Sequence, residues 1–419
     1  MRSLLTLAYR SLLARRFTVG LTVLTIALSV TLLLGVERLR DEARTSFLRS
    51  VAGTDLIVGA RAHPVQLLLY SVFRLGDASN NLSWQSAQWI AGLPEVAWSV
   101  PISLGDSHRG YRVIGTTPAY FEHLQTGGGR PLSMASGEVF SAVFETVLGA
   151  DVARELGYQV DSRIVLAHGT GQVTAQKHDD QPFAVVGVLD ATGTAIDQGV
   201  YVSLAALEAI HLNWRSGTRI GRAPSIDDVD PKLLEPRNVT ALFVGLKSRI
   251  ATFGVQRAVN AYAIEPLSAV LPGVALQQLW SMLDEAERAL SMAAACVVAA
   301  GFMVLLTTIL ATLNERRREM AILRGVGASA RHVFGLLLTE AALLSAMGAT
   351  LGALLVELLL LVLSPWLQAR YGIFLQAGLP RWETLRLVAA VAGMGTLLGV
   401  VPAILAYRRS VQDGMTLKI

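Results

Sequence analysis

The sequence predicts an α+β membrane protein: four transmembrane helices, with a large two-lobed α+β domain between the first and the second. Three observations lead there. Hydrophobic residues make up 52% of the 419 residues, and the mean hydropathy of +0.47 is higher than a soluble chain of this size normally reaches. Four mostly apolar stretches, at 17–36, 289–313, 333–363 and 387–407, reach the roughly 20 residues needed to cross a bilayer. Arginines gather at alternate ends of these stretches, and positive residues near span ends stay in the cytoplasm.

At the start, Leu4, Leu5, Ala8, Tyr9, Leu12 and Leu13 share a face, with Arg2 and Arg10 nearer the polar side. Residues 1–16 therefore read as a cytoplasmic amphipathic helix on the inner leaflet. The first span, 17–36, carries no charge and is longer than the apolar region of a cleaved signal peptide, so it reads as an anchor. Arg2, Arg10, Arg15 and Arg16 precede it; Arg316, Arg317, Arg318, Arg324 and Arg331 lie between spans two and three; Arg408, Arg409 and Lys418 follow span four. All three clusters agree if both termini (1–16 and 408–419) and the 314–332 segment are cytoplasmic. Residues 37–288 and the short loop 364–386 are then external, although Arg370, Arg381 and Arg386 in that loop are a mild exception.

Inside 37–288 the periodicity first stays helical. Leu39, Ala43, Phe47 and Val51 fall four apart among charges, and Leu276, Leu279, Trp280, Leu283 and Leu290 form a similar stripe. Spans one and two are expected to run outward as paired stalk helices. Strands are expected at 55–60, 96–104, 111–115, 139–148, 163–167, 183–189, 199–202 and 241–246, where Val, Ile and aromatic residues cluster between Gly, Pro or Asp. Helices are expected at 83–92, 151–156, 203–211 and 249–262, with Ser83 and Ser203 as N-caps. One lobe is expected to flank a second inserted over roughly 120–210. Residues 216–236 read as an exposed loop. In 63–75, Val65, Leu68, Leu69, Val72 and Phe73 make one helical face; an ordinary core-facing helix explains it, and the sharper reading is an exposed apolar face for a lipid-like substrate or a partner subunit.

Several function classes find no support. The excess of 36 Lys and Arg over 32 Asp and Glu sits at span ends, so it does not point to nucleic acid. The seven histidines are scattered, with no metal-binding spacing. The single cysteine, Cys296, lies within span two and forms no disulfide within one chain. No Gly-x4-Gly-Lys-Ser/Thr phosphate loop occurs, so the chain is read as neither an ATPase nor another enzyme. Glu340 and Glu357 are ionisable groups inside span three and are functional candidates on that ground alone. Glu340 is expected to pair with Arg324 or Arg331 or to snorkel. Glu357 is equally explained by bonding to the hydroxyl face Thr18, Thr22, Thr25 and Ser29 of span one, whose alternative is back-bonding to its own carbonyls. Gly348 with Gly352, and Gly395 with Gly399, allow close helix approach.

The run Glu315-Arg316-Arg317-Arg318-Glu319-Met320-Ala321-Ile322-Leu323-Arg324-Gly325-Val326-Gly327-Ala328-Ser329, followed by Val333-Phe334 and Thr339-Glu340-Ala341, resembles the FtsX-like permease family of ABC transporters, which includes MacB-type and LolC/LolE-type permeases. Val113 to Pro118, Gly129 to Leu132, Val147 to Gly149 and Phe183 to Leu189 resemble that family's MacB-like periplasmic core domain. The resemblance implies a multi-pass permease of the bacterial inner membrane, with a periplasmic external domain. It implies partners: a cytoplasmic ABC ATPase dimer that binds ATP and Mg, a second permease copy or a sister permease, and a periplasmic or outer-membrane protein. No cofactor is expected on this chain. The implied activity is mechanotransmission, in which hydrolysis by the partner moves the periplasmic domain to extract or export a lipoprotein, lipid, peptide or drug. The alternative is a signalling or scaffold subunit that activates an envelope hydrolase. Glu315, Arg316, Arg317, Arg318, Glu319, Ile322, Leu323, Arg324, Gly325 and Gly327 are the expected ATPase-coupling residues. On the residues themselves, the arginines project from a helix that Gly325 and Gly327 stop, and Ile322 and Leu323 supply an apolar patch.

Overall fold

The computed structural model describes residues 11–13, 15–50, 52–126, 129–168, 181–212, 214–215, 218–219, 229–315, 322, 327–371 and 382–413. Its helices are α1 (Arg16–Ser50), α2 (Pro64–Ser71), α3 (Trp84–Ala91), α4 (Ala119–His123), α5 (Ala150–Leu156), α6 (Leu204–His211), α7 (Thr252–Asn260), α8 (Pro272–Glu315), α9 (Ala330–Tyr371) and α10 (Trp382–Asp413). The chain divides into a helical unit (Met1–Asp41, Asp284–Pro365, Leu375–Ile419) and a sheet unit (Glu42–Leu283, Trp366–Phe374). Both α1 and α8 are continuous helices whose residues are shared between the two.

The helical unit holds the four helices that are long and apolar enough to cross a membrane. In α1, Val23, Ile26, Ala27, Val30 and Leu34 are buried, while Leu21, Leu24 and Leu28 on the other face are exposed. Glycines let the helices approach. A Cβ on Gly348 would lie 2.6 Å from the Ile26 side chain, and one on Gly352 would lie 2.6 Å from the Ala27 carbonyl oxygen. Nearer the start of α9 and on the same stripe, a Cβ on Gly395 would meet Ser345 at 2.4 Å and one on Gly399 would meet Ala341 at 2.4 Å. Such small-residue contacts are how apolar helices pack where no hydrophobic force separates them from lipid.

The sheet unit is built on strands β1 (Leu56–Ala60), β2 (Val96–His108), β3 (Tyr111–Thr116), β4 (Met134–Gly137), β5 (Glu145–Leu148), β6 (Phe183–Leu189), β7 (Gly199–Ser203), β8 (Ala241–Leu246) and β9 (Leu267–Val270). Their order in one sheet is β9-β1-β8-β2-β3-β7-β5-β6-β4, with Arg163–Ile164 against β6 and Ala167–His168 against β2. The pairs β3–β7 and β5–β6 are parallel, and the others on this path are antiparallel. The two expected lobes share this sheet through β2, which pairs with β8 over residues 96–102 and with β3 from Ser103 onward. Each lobe has its own core on one face, Leu56, Val58, Ile90 and Val259 in the first and Val113, Phe183, Val200 and Ile210 in the second. A third core, including Ile57, Tyr70, Ile114 and Tyr201, belongs to both. The two-residue period of a strand assigns Leu56 and Val58 to one core and Ile57 to another.

Ser83 and Ser203 cap α3 and α6, accepting from the Ser86 and Ala206 amides. The strand expected over 139–148 is confined to Glu145–Leu148. The Glu145 carboxylate accepts from the Ser141 and Ala142 amides at 2.7 and 2.8 Å, which turns the chain just before the ladder. Those bonds, Ala142 first, hold its carboxyl below the usual range.

Candidate functional site

Within the sheet unit, the ends of both long helices enter the shared core. Phe47 of α1 lies against Phe73, with ring centroids 4.1 Å apart, and edge-on to Trp280 of α8 at 5.6 Å. The Arg44 guanidinium sits over Trp280 at 5.2 Å. Leu276 is buried in the same cluster and Leu279 packs on it. These residues form a joint between two stalk helices and the segment that follows α2.

A polar layer continues from this joint. Ser46 Oγ donates to the Gly193 carbonyl at 3.5 Å. The loop beginning there is organised by Asp197, which is fully buried. Its carboxylate accepts from the Thr192 and Gly193 amides at 2.8–3.0 Å and from the Thr192 hydroxyl at 2.8 Å. Burial pushes this carboxyl up to about 6, against the downward pull of those donors and with a further upward push from Asp151. Arg74, at a φ of 59°, donates to the Ala195 carbonyl and to the Tyr201 hydroxyl at 2.6 Å. Tyr201 in turn donates to the Ile196 carbonyl at 2.8 Å, and burial keeps its phenol protonated well above its ordinary range. Displacement of α1 or α8 at the joint is therefore resisted by aromatic packing and by this bonded loop. Among the described residues no group of three or more His, Cys, Asp or Glu is placed to hold a metal.

The face Val65, Leu68, Leu69, Val72 and Phe73 is not an exposed surface. Val65 and Leu68 are buried, and Val72 and Phe73 pack against the shared core. Leu67, Tyr70 and Ser71 are buried as well, so α2 is enclosed on more than one side. The core-facing reading is the one the structure supports.

In the helical unit, Glu357 meets Arg38 of α1 at 2.7 Å, with side chains 18% and 7% exposed. Arg38 is one of the charges among which the Leu39, Ala43 and Phe47 stripe falls. The hydroxyls expected as partners of Glu357 turn elsewhere: Thr22, Thr25 and Ser29 donate to carbonyls four residues back in α1. Ser29 also reaches the Val297 carbonyl at 3.1 Å, and Thr31 reaches that of Gly352 at 3.1 Å. Glu340 is buried.

Of the expected coupling residues, Arg316, Arg317, Arg318, Glu319, Leu323, Arg324 and Gly325 lie outside the described residues. Glu315 ends α8, Ile322 is 59% exposed, and Gly327 has a φ of 101°. Just beyond, the Ser329 amide donates to His332 Nδ1 at 3.2 Å and the His332 amide donates to the Ser329 carbonyl at 2.9 Å, where α9 starts.

A family model described as MacB-like periplasmic core domain matches residues 19–262, more than half of the chain, and one described as FtsX-like permease C-terminal matches residues 291–411. The class these define is the ABC-type permease. The chain belongs to the FtsX-like permeases that carry a MacB-like periplasmic core domain. Among solved structures, it is similar to the periplasmic region of MacB from Actinobacillus actinomycetemcomitans, at 11% identity and a TM-score of 0.33, covering 56% of this chain and 97% of that one. It is also similar to the extracellular domain of the noncanonic ABC-type transporter YknZ from Gram-positive bacteria, at 12% identity and a TM-score of 0.31, covering 52% and 99%. No curated protein matches the chain.

Proposed function

We propose that this permease works by mechanotransmission. The four long helices cross the bacterial inner membrane with both termini and the 314–332 segment in the cytoplasm, and the sheet unit stands in the periplasm. A separate ABC ATPase dimer binds ATP and Mg and docks on the 314–332 segment. A second permease copy or a sister permease completes the assembly. Closure of the ATPase moves α1 and α8, and the joint passes that motion to the sheet unit, which acts on a lipoprotein, lipid, peptide or drug. The observation that carries this reading is the continuity of α1 and α8. Each runs unbroken from an uncharged stretch of membrane-crossing length to a terminus packed on Phe73 and the shared core.

The test breaks one lever without touching either end. Two glycines inserted after Asp284 interrupt α8 where it passes between the units, and glycine pairs weaken a helix at that point. The expected result is normal co-purification of the ATPase with loss of the nucleotide-dependent distance change between spin labels on the sheet units of two permeases. A wild-type sheet unit that does not move when nucleotide is bound and hydrolysed would sink the proposal.

A further inference from the structure

We propose that the end of the helical unit formed by the start of α9 and the end of α10 holds the headgroup of an anionic phospholipid. A cleft of ≈ 290 Å³ opens there, lined by Arg331, Phe334, Ile404 and Tyr407. Two of its walls are apolar, with Phe334 half-buried and Ile404 42% exposed. Its cation is exposed and has no ion-pair or hydrogen-bond partner among the described residues. Arg408, next to Tyr407, is exposed and equally without one. Within 327–339 and 398–412 there is no Asp or Glu, and Glu340 and Asp413 come next in sequence.

The chemistry selects one occupant. A guanidinium presents a planar fork of donors that matches phosphate oxygens. Tyrosine places an apolar ring and a polar tip at the level where headgroups meet acyl chains. Phe334 and Ile404 then pack on the glycerol and first methylenes. Inorganic phosphate would use the arginine and waste the walls; a zwitterionic lipid would use the walls and offset the arginine with its own cation. An anionic phospholipid uses both. This inference rests on the proposed membrane insertion, which sets this end at the inner leaflet, where anionic lipid attracts each nearby basic residue.

The test uses the full permease purified in detergent, without the ATPase. Native mass spectrometry reads retained lipid after titration with phosphatidylglycerol or with phosphatidylcholine of the same chains. Phosphatidylglycerol is expected to be retained preferentially, and Arg331→Ala is expected to cut that retention roughly fivefold, the factor that one basic residue at an anionic surface supplies. Arg331→Lys keeps most of it, and Arg386→Ala, at the other end of α10, leaves it unchanged. Unaltered melting temperature separates these effects from misfolding. Equal retention of the two lipids overturns the proposal. So does displacement of phosphatidylglycerol by millimolar inorganic phosphate, or an Arg331→Ala variant that retains as much of the lipid as the wild type. Because binding is read in detergent, labelling that placed Arg331 outside the cell would refute the orientation and leave the lipid measurement standing.

Discussion

In the sheet unit the large apolar side chains point inward: Tyr70, Tyr201, Phe183 and Leu56 are among the fully buried residues, and exposed ones such as Ile250 and Phe253 are scattered. The helical unit reverses this. Leu354, Leu358, Leu361 and Leu397 are more than half exposed, and glycines sit at close contacts with Ile26, Ser345 and Ala341. The difference teaches what each unit is built to meet. Water drives the first to bury its bulk. On the proposed insertion, the second gains nothing by hiding leucine from hydrocarbon and is held by close backbone approach and by polar groups bonded across helices.

The Arg38–Glu357 pair is where that comparison is most easily broken. Removing one member of a buried ion pair leaves the other charge stranded, at a cost of about 3–5 kcal/mol, whereas an exposed pair is worth about 1 kcal/mol or less. Arg38→Leu is expected to fall near the larger figure in detergent unfolding, and Arg38→Leu with Glu357→Leu is expected to recover part of the loss. A single variant that unfolds like the wild type would mean that water reaches the pair and that it contributes nothing to holding α1 against α9.

The corresponding charge in the sheet unit is Asp197, buried beside the joint and titrating at about 6 against an ordinary 3.8. A folded state whose carboxyl has a raised pKa binds the proton more tightly than the unfolded chain. Asp197 therefore takes stability away as pH rises from about 4 to about 6, by roughly 3 kcal/mol across that window, and the loss is complete above it. Asp197→Asn lacks this dependence. Thermal unfolding of both proteins between pH 4 and pH 7 is expected to show the wild type losing ground to the variant through the window. Parallel curves would mean that the 192–197 loop admits water.

Much of this architecture was legible in the sequence because it is written locally. Charge-free runs marked the long helices, alternation marked Phe183–Leu189, and serine placement marked two helix starts. The glycine spacings of 348 and 352, and of 395 and 399, pointed to close packing although not to the partners. What escaped notice was non-local or weak. Arg38 looked like a solvent-facing residue of an amphipathic stripe, and nothing near it announced Glu357, 319 residues away. Strand β9 is four residues long, too short for alternation to mark it. Its edge is masked by side chains: Gln256 donates to the Ala269 carbonyl at 3.0 Å, and Asn260 accepts from the Ala269 amide at 2.7 Å. The apolar face at 65–73 left a core-facing and an exposed reading open, since periodicity identifies a helical face but not whether protein or lipid covers it. At the candidate joint, Phe47 and Trp280 lay on stripes already seen in the sequence; their meeting at Phe73 depends on the fold.

The smallest expected effect separates two glycines with the same backbone habit. Gly110, at a φ of 93°, and Gly137, at 73°, both occupy left-handed geometry that a Cβ makes unfavourable. Gly110 follows Arg109, also at positive φ, in the two-residue turn between β2 and β3, as tight hairpins require. A Cβ there would meet nothing within 4 Å, whereas one on Gly137 would fall 2.0 Å from the Val186 carbonyl oxygen. That oxygen cannot swing away, because it accepts from the Glu138 amide at 3.0 Å within the β4–β6 edge. Both alanine variants pay for backbone strain, so Gly137→Ala is expected to cost about 1–2 kcal/mol more than Gly110→Ala, the range typical of overpacking. Chemical denaturation of the two variants side by side checks it, and equal losses would show that the edge strand yields to accommodate the methyl group.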